Sequence, residues 1–463
     1  MKKSYLIIVF ILFAGFSFAQ SKYDDAINAI KNNDYNTAIN IAQNYLKEDS
    51  TDQSLKILVD VIARDTTSEK AYELLGDVYY KMNVVELAIV NYTHAEKLDS
   101  TNVLLKFKYG EALEKQESYT DAANKYLQVL ALDSTYSPAL LRLGEILYYA
   151  KEYGNAAYYL VHYLNYNKQA DYKPYLYAAN ALFIIQDFKK AAEISNEGLQ
   201  KFPGKPELEK IASLSFIGTQ QYDSAVKMLN ETPDSMFSAS EYAQIGTSLI
   251  NAKQDSLGII FLDKAFHKDS TYLKLYGEIV ANTYMREGKY NDAIKYYNKK
   301  LSLDSTSVSA NVNKALCFIQ LQQYDSAKVS LQQALKIKND YMTALVWLGR
   351  TDQLLKNLDA AADDYNKILK ITAGKEDSSK AEVSEAYGFF GYLGLVKKKY
   401  KDAIQSLKSA ITYNPSSWQY HLWLAQAYAL SGSKAEAAKE YKEVLSLDPN
   451  NTDAKRGLQL LGL

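Results

Sequence analysis

The tripeptide Asp-Ser-Thr begins at Asp49, Asp99, Asp133, Asp269 and Asp304, and its spacing restricts the folds open to this chain. Asp99 and Asp133 are 34 residues apart, Asp269 and Asp304 are 35 apart, and Asp133 and Asp269 are 136 apart, four times the first interval. A self-similar period of roughly 20–50 residues marks a repeat array. Each unit cannot hide its apolar face alone, so neighbouring units stack and the core grows along one axis. Chain length therefore sets no domain count. In three copies a leucine precedes the tripeptide (Leu98, Leu132 and Leu303), closing an apolar helix face, while Ser and Thr are expected to cap the helix that follows.

The segment 103–136 shows what is repeated. Leu105, Tyr109, Ala112 and Leu113 have helical spacing, as do Ala122, Tyr126, Val129 and Leu130, and the polar pair Glu117-Ser118 separates the two runs. Two columns of small residues fix the register. In the first helices the column reads Ala26, Gly76, Gly110, Gly144, Ala179, Ser213, Gly246, Ala281, Ala315, Gly349, Gly391 and Ala425. Twelve residues after each stands Ala, or Gly at Gly258. Large side chains at these places would hold paired helices apart. A third column opens the second helices with aromatic residues, among them Tyr35, Tyr119, Tyr153, Phe188, Tyr290 and Tyr400, each ring able to fill the wedge between helices and each tyrosine able to keep its hydroxyl wet.

Small residue, tyrosine, alanine and aromatic at a 34-residue period resemble the tetratricopeptide repeat, most closely over Tyr72–Asp99 and His421–Pro449. The resemblance implies an all-α fold, a right-handed superhelical solenoid of about twelve antiparallel helix pairs over residues 20–451, with a capping helix over 452–463 that seals Leu458, Leu460 and Leu461. Irregular spacing falls near 50–70, where an extra unpaired helix is expected, near 232–240, where Pro233 cuts a helix, and near 372–383.

In this family the first helices line a groove that holds an extended peptide or a partner helix. Carried onto this chain, the lining comprises Glu73, Asp77 and Tyr80, then Phe107, then Arg142, Tyr148 and Tyr149, then Asn180. It continues with Asn282 and Arg286, Asn313, Trp347 and Arg350, Tyr392 and Trp423. The rival role for each ring is packing between neighbouring repeats. One family mechanism, a clamp on a partner's terminal carboxylate, needs cations where this chain has Glu278, Thr343 and Trp347, so Asn282 and Asn313 alone do not build it. The resemblance thus implies a non-enzymatic scaffold or adaptor that binds other proteins, with an assembly factor for envelope secretion or polysaccharide export as its narrower form. The groove aromatics leave carbohydrate binding as a reading of another class.

Composition agrees with a helical binding protein and excludes several others. Seven prolines and 20 glycines suit long helical runs, and 53 basic against 54 acidic residues give no field that gathers nucleic acid or anionic lipid. His94, His162, His267 and His421 are scattered, with no helical pairing for a metal, and the glycines form packing columns rather than a phosphate loop. No catalytic centre, cofactor or metal is expected. Cys317, the single cysteine, reads as a small buried apolar residue.

The N-terminus is a separate object. Lys2 and Lys3 precede an apolar run from Tyr5 to Phe18, with Ser17 and Ala19 placed before Gln20 as at a cleavage site. That layout is a signal peptide over 1–19, the rival being an uncleaved anchor. The expected location is the periplasm, or association with an outer-membrane complex, of a Gram-negative bacterium. In that setting Asp-Ser-Thr also resembles an O-glycosylation acceptor, which marks Ser100, Ser134, Ser270 and Ser305.

Overall fold

The repeat unit folds as two antiparallel helices, such as Val103–Lys115 and Tyr119–Leu132, because each carries one apolar stripe and only its partner and the next unit can cover it. The computed structural model describes residues 22–463, so the expected leader over 1–19 lies outside the described residues. Within them are 26 α-helices, the first over residues 22–31, and no strand. Twelve antiparallel pairs account for all but two; Thr51–Ile62 and Thr452–Leu460 are single. None of the described helices is long and apolar enough to cross a membrane.

The chain divides into two compact units, one ending at Met236 and the other beginning at Phe237. The first holds six pairs and the single helix Thr51–Ile62; its last helix, Tyr222–Glu231, is short and gives way to a 3-10 turn at Asp234–Met236. The second holds six pairs and the terminal helix, with a 3-10 turn at Glu376–Ser379 before Lys380–Val396.

The small column in the first helices makes room for particular rings. A Cβ on Gly76 would sit 2.5 Å from the Tyr92 ring, on Gly110 2.5 Å from Tyr126, and on Gly349 2.8 Å from Tyr365. Those tyrosines are fully buried, each sixteen residues after its glycine, and the backbones close to a distance that a methyl group would block. The rings that open second helices are half-buried, Tyr35 and Tyr153 packing against their clusters, except Tyr119, which is 51% exposed.

Two unlike junctions alternate along the chain. Within every pair the first helix ends on a left-handed residue: Glu117, for example, has φ 64° and Lys151 φ 63°. There the Glu117 amide bonds to the Glu114 carbonyl and the Ser118 amide to the Leu113 carbonyl, a Schellman closure that satisfies the last carbonyls. Only Gly288 and Gly432 fill this place with glycine in the twelve pairs.

Between pairs the tripeptide is a turn, though its hydroxyls do not cap the next helix. Asp99 ends its helix with extended backbone, and its carboxylate accepts from the Thr101 amide at 2.8 Å and the Thr101 hydroxyl at 2.7 Å. Asp133 with Thr135 and Asp304 with Thr306 repeat this, and Asp269 accepts from the Thr271 amide. The threonine is engaged backward by the aspartate, so caps come from later residues, Asn102 and Ser307, whose side chains accept from Leu105 and Ala310. At Asp49-Ser50-Thr51 the turn differs: Asp49 is left-handed and pairs with Lys81.

The terminal helix also departs from expectation. Ala454 and Gly457 are buried, with Leu458 and Leu461 partly covered in the same cluster, but Leu460 is 79% exposed. Ala454, Gly457, Leu458 and Leu461 follow the i, i+3, i+4, i+7 spacing of one helix face, and Leu460, at i+6, points away from it.

Candidate functional site

In the first unit, Tyr148, Tyr149 and Asn180 converge on one surface. Their helices, Ser137–Tyr149 and Tyr172–Ile184, are the first helices of consecutive pairs. Tyr148 stacks on Tyr177 at 4.6 Å between centroids and meets Tyr149 and Tyr153 edge-on at 5.7 and 5.8 Å. Asn180 donates to the Tyr148 hydroxyl at 2.6 Å, and the Tyr149 and Tyr177 hydroxyls share a bond of 2.7 Å. That shared bond is the main reason the Tyr177 phenol is pushed up to about 12. Tyr149 nevertheless stays 68% exposed. A polar network beneath it thus holds an aromatic surface open to solvent.

Beside the rings lies a cavity of about 1000 Å³, lined by Tyr119, Arg142, Glu145, Tyr149, Lys173 and Tyr177 among others. Arg142 donates to Glu114 of the preceding pair from Nε (3.1 Å) and Nη2, and to Glu145 from Nη1 (2.9 Å). Glu114 also accepts from the Tyr126 hydroxyl at 2.8 Å. Burial raises the Glu145 carboxyl above its ordinary range, with Arg142 opposing the shift. A ligand here meets a guanidinium already balanced by two carboxylates, so affinity rests on the rings more than on charge.

Two other expected lining residues of this unit are interior. Glu73 is 1% exposed and accepts from Lys108 at 2.5 Å and Lys70 at 2.6 Å; removed from water, a carboxylate needs those cations. Phe107 is 9% exposed, packed on Tyr126 and Tyr136 at 5.5 and 5.3 Å. Asp77 accepts from Lys108 at 2.6 Å and from the Tyr92 hydroxyl at 2.8 Å, and burial raises its carboxyl. Tyr80 is half-buried beneath the Lys115 ammonium, 4.5 Å from its centroid.

The second unit brings its expected residues together only in pairs. Asn282 accepts from the Asn313 amide at 3.2 Å and from the Tyr297 hydroxyl, which occupies the amide oxygen a peptide would otherwise use. Arg286 is tied to Asp255 at 2.6 Å. Arg350 lies 4.6 Å over the Trp347 ring and forms two parallel bonds of 2.6 Å to Glu385. Tyr392 and Trp423 pack at 5.4 Å.

Sequence reasoning missed the residues that orient these groups. Buried tyrosines of the second helices reach back to the first: Tyr92 to Asp77, Tyr126 to Glu114 and Tyr297 to Asn282, while Tyr365 donates to Glu385 at 2.9 Å. The signal was present as a tyrosine sixteen residues after a small-column residue, at Gly76, Gly110, Ala281 and Gly349. Cys317 is buried, with its thiol pushed up to about 11 by burial.

Tetratricopeptide repeat family models match residues 284–340 and 395–452. Together with the helix pairing, these matches make the chain a tetratricopeptide repeat protein. Such proteins are typically non-enzymatic scaffolds that bind other proteins. Curated relatives include the BBSome complex member BBS4 of Bos taurus, 27% identical over 55% of this chain and 48% of that protein. RNA polymerase II-associated protein 3 of Xenopus laevis is 32% identical over 20% of this chain and 14% of that protein. The chain thus spans about half or less of the length of these relatives. A solved C-terminal part of a tetratricopeptide repeat-containing protein from Cytophaga hutchinsonii is similar at 20% identity and TM-score 0.37, over 61% of this chain and 99% of that one.

Proposed function

We propose that this chain is an exported scaffold of the bacterial cell envelope that holds a partner peptide or helix against the Tyr148–Tyr149–Tyr177 surface. One observation carries the choice of surface: an aromatic cluster fixed by hydrogen bonds from below, with Tyr149 68% exposed, beside a cavity of about 1000 Å³. Rigid, partly exposed tyrosines lose little entropy when a partner covers them, which makes them effective anchors. Export rests on the charged and apolar run ahead of Gln20. In that compartment the scaffold serves as an assembly factor for secretion or polysaccharide-export machinery. The test is a photo-crosslinking residue at Tyr149 in the producing cell, with fractionation of the adduct. One dominant envelope protein supports the reading; an adduct with cytoplasmic proteins alone removes the envelope part of it.

A second reading concerns the turns. Ser100, Ser134, Ser270 and Ser305 are exposed, and their hydroxyls do not cap the following helices, which leaves them open to O-glycosylation. Intact mass of protein purified from its native source decides this: a mass above that of the bare chain, lost in Ser-to-Ala variants, supports it, and the bare mass refutes it.

A further inference from the structure

A second aromatic surface lies between the second helices Tyr119–Leu132 and Tyr153–Tyr166, next to the Tyr149 cavity, with which it shares Leu127 and Tyr159. Helix Tyr153–Tyr166 contains no Asp, Glu, Lys or Arg in its fourteen residues, unusual for a helix with a solvent face. Tyr158 and Tyr166 are 58% and 53% exposed. With Tyr159, His162 and Ser134 they border a cleft of about 360 Å³ whose floor is leucine and alanine. That volume falls in the range of about 300–1000 Å³ common for small-ligand sites. The Tyr158 ring lies 4.4 Å from His162 and meets Tyr159 edge-on at 5.1 Å, so the three rings form one contiguous aromatic cluster.

The polar groups of this cleft distinguish it from an ordinary greasy patch. Among the described residues, the hydroxyls of Tyr158, Tyr159, Tyr166 and Ser134 and the His162 ring nitrogens form no hydrogen bond, and no charged side chain lines the cleft. Exposed ring faces, an apolar floor and uncommitted hydroxyl donors and acceptors match one ligand chemistry closely. A neutral sugar presents an apolar C–H face for stacking and a rim of hydroxyls for hydrogen bonds, and carries no charge that needs compensation. We propose that this cleft binds a neutral oligosaccharide, with Tyr158 and not Tyr149 as its stacking ring.

The test uses the purified full-length protein with neutral cello-, malto-, manno- and xylo-oligosaccharides, and acidic pectic oligosaccharides as the contrast, read by isothermal calorimetry. The expected result is binding of at least one neutral oligosaccharide that changes less than about two-fold between low and high salt. Tyr158→Ala weakens it by about ten-fold or more, Tyr158→Phe keeps most of it because the ring face remains, and Tyr149→Ala leaves it unchanged. Both Tyr158 variants sit at an exposed position, and far-UV circular dichroism checks that they fold. The proposal is overturned if no neutral oligosaccharide binds, if only the acidic ones bind, or if Tyr158→Ala binds as the parent does.

Discussion

Gly144 in the first unit and Gly349 in the second occupy the same place in their repeats, yet their neighbours solve different problems. Two residues before the glycine stands Arg142 in one and Trp347 in the other; one residue after it stands Glu145 or Arg350. Arg142 reaches back to Glu114 of the preceding pair and leaves the tyrosine cluster uncovered. Arg350 reaches forward to Glu385 and lies over Trp347. The same helix of the repeat therefore carries an exposed ring in one unit and, in the other, a half-buried ring lying under a cation. Repeat identity fixes where the groups stand, and the direction of the ion pair decides whether a ring is available.

Both units depend on the same close approach of paired helices at the small column. Gly110→Leu drives a side chain into the Tyr126 ring and is expected to cost about 3 kcal/mol by urea unfolding, with the Tyr149 surface lost as well. A cost below about 1 kcal/mol would show that the pair relaxes and that the small column is not what sets the helix spacing.

Next come two buried hydroxyls, one in each unit. Tyr126 donates to a carboxylate and Tyr297 to an amide, so Tyr126→Phe is expected to cost about 2 kcal/mol and Tyr297→Phe about 1. Equal losses would mean that Arg142 alone compensates Glu114. Neither hydrogen bond is legible in the sequence, because tyrosine fills two columns of the repeat, one half-buried and one buried, and composition does not separate them. Helix pairing and the small columns were legible because they recur in every unit. The pairing of Glu73 with Lys108 and of Arg142 with Glu114 was not, since those partners come from other repeats, 35 and 28 residues away. Nor were the left-handed turns, where Glu117, Lys151 and Gln186 stand in place of glycine.

A third contrast is confined to the last full pair. His421 is 8% exposed, with Nδ1 at 2.6 Å from the Glu440 carboxylate and Nε2 at 3.0 Å from the Pro415 carbonyl. Two acceptors around one ring favour the imidazolium. The bond to Glu440 raises its titration above the ordinary value, Glu443 adding to the effect while burial opposes it. A raised folded value gives stability that is complete below about pH 6.5 and is lost as pH rises through the folded value. The melting temperature of the parent is therefore expected to exceed that of His421→Gln most at about pH 6, with the gap narrowing towards about pH 9. A gap that widens with pH would show that the ring is bound neutral.

The smallest effect runs the other way. Lys151→Gly relieves a left-handed backbone at φ 63° and is expected to stabilise the protein by about 0.5–1 kcal/mol in urea. A loss would mean that the lysine side chain contributes more than its backbone costs.

The central claim is that the open aromatic surface of the first unit, and not the covered one of the second, recognises the partner. Peptides selected from a random displayed library on the purified protein give the direct measurement, through their dissociation constants for three forms. The account predicts that Tyr149→Ala with Tyr177→Ala weakens binding by about ten-fold or more, while Trp347→Ala stays within about two-fold of the parent. Binding that survives the double tyrosine variant and falls with Trp347→Ala would contradict it.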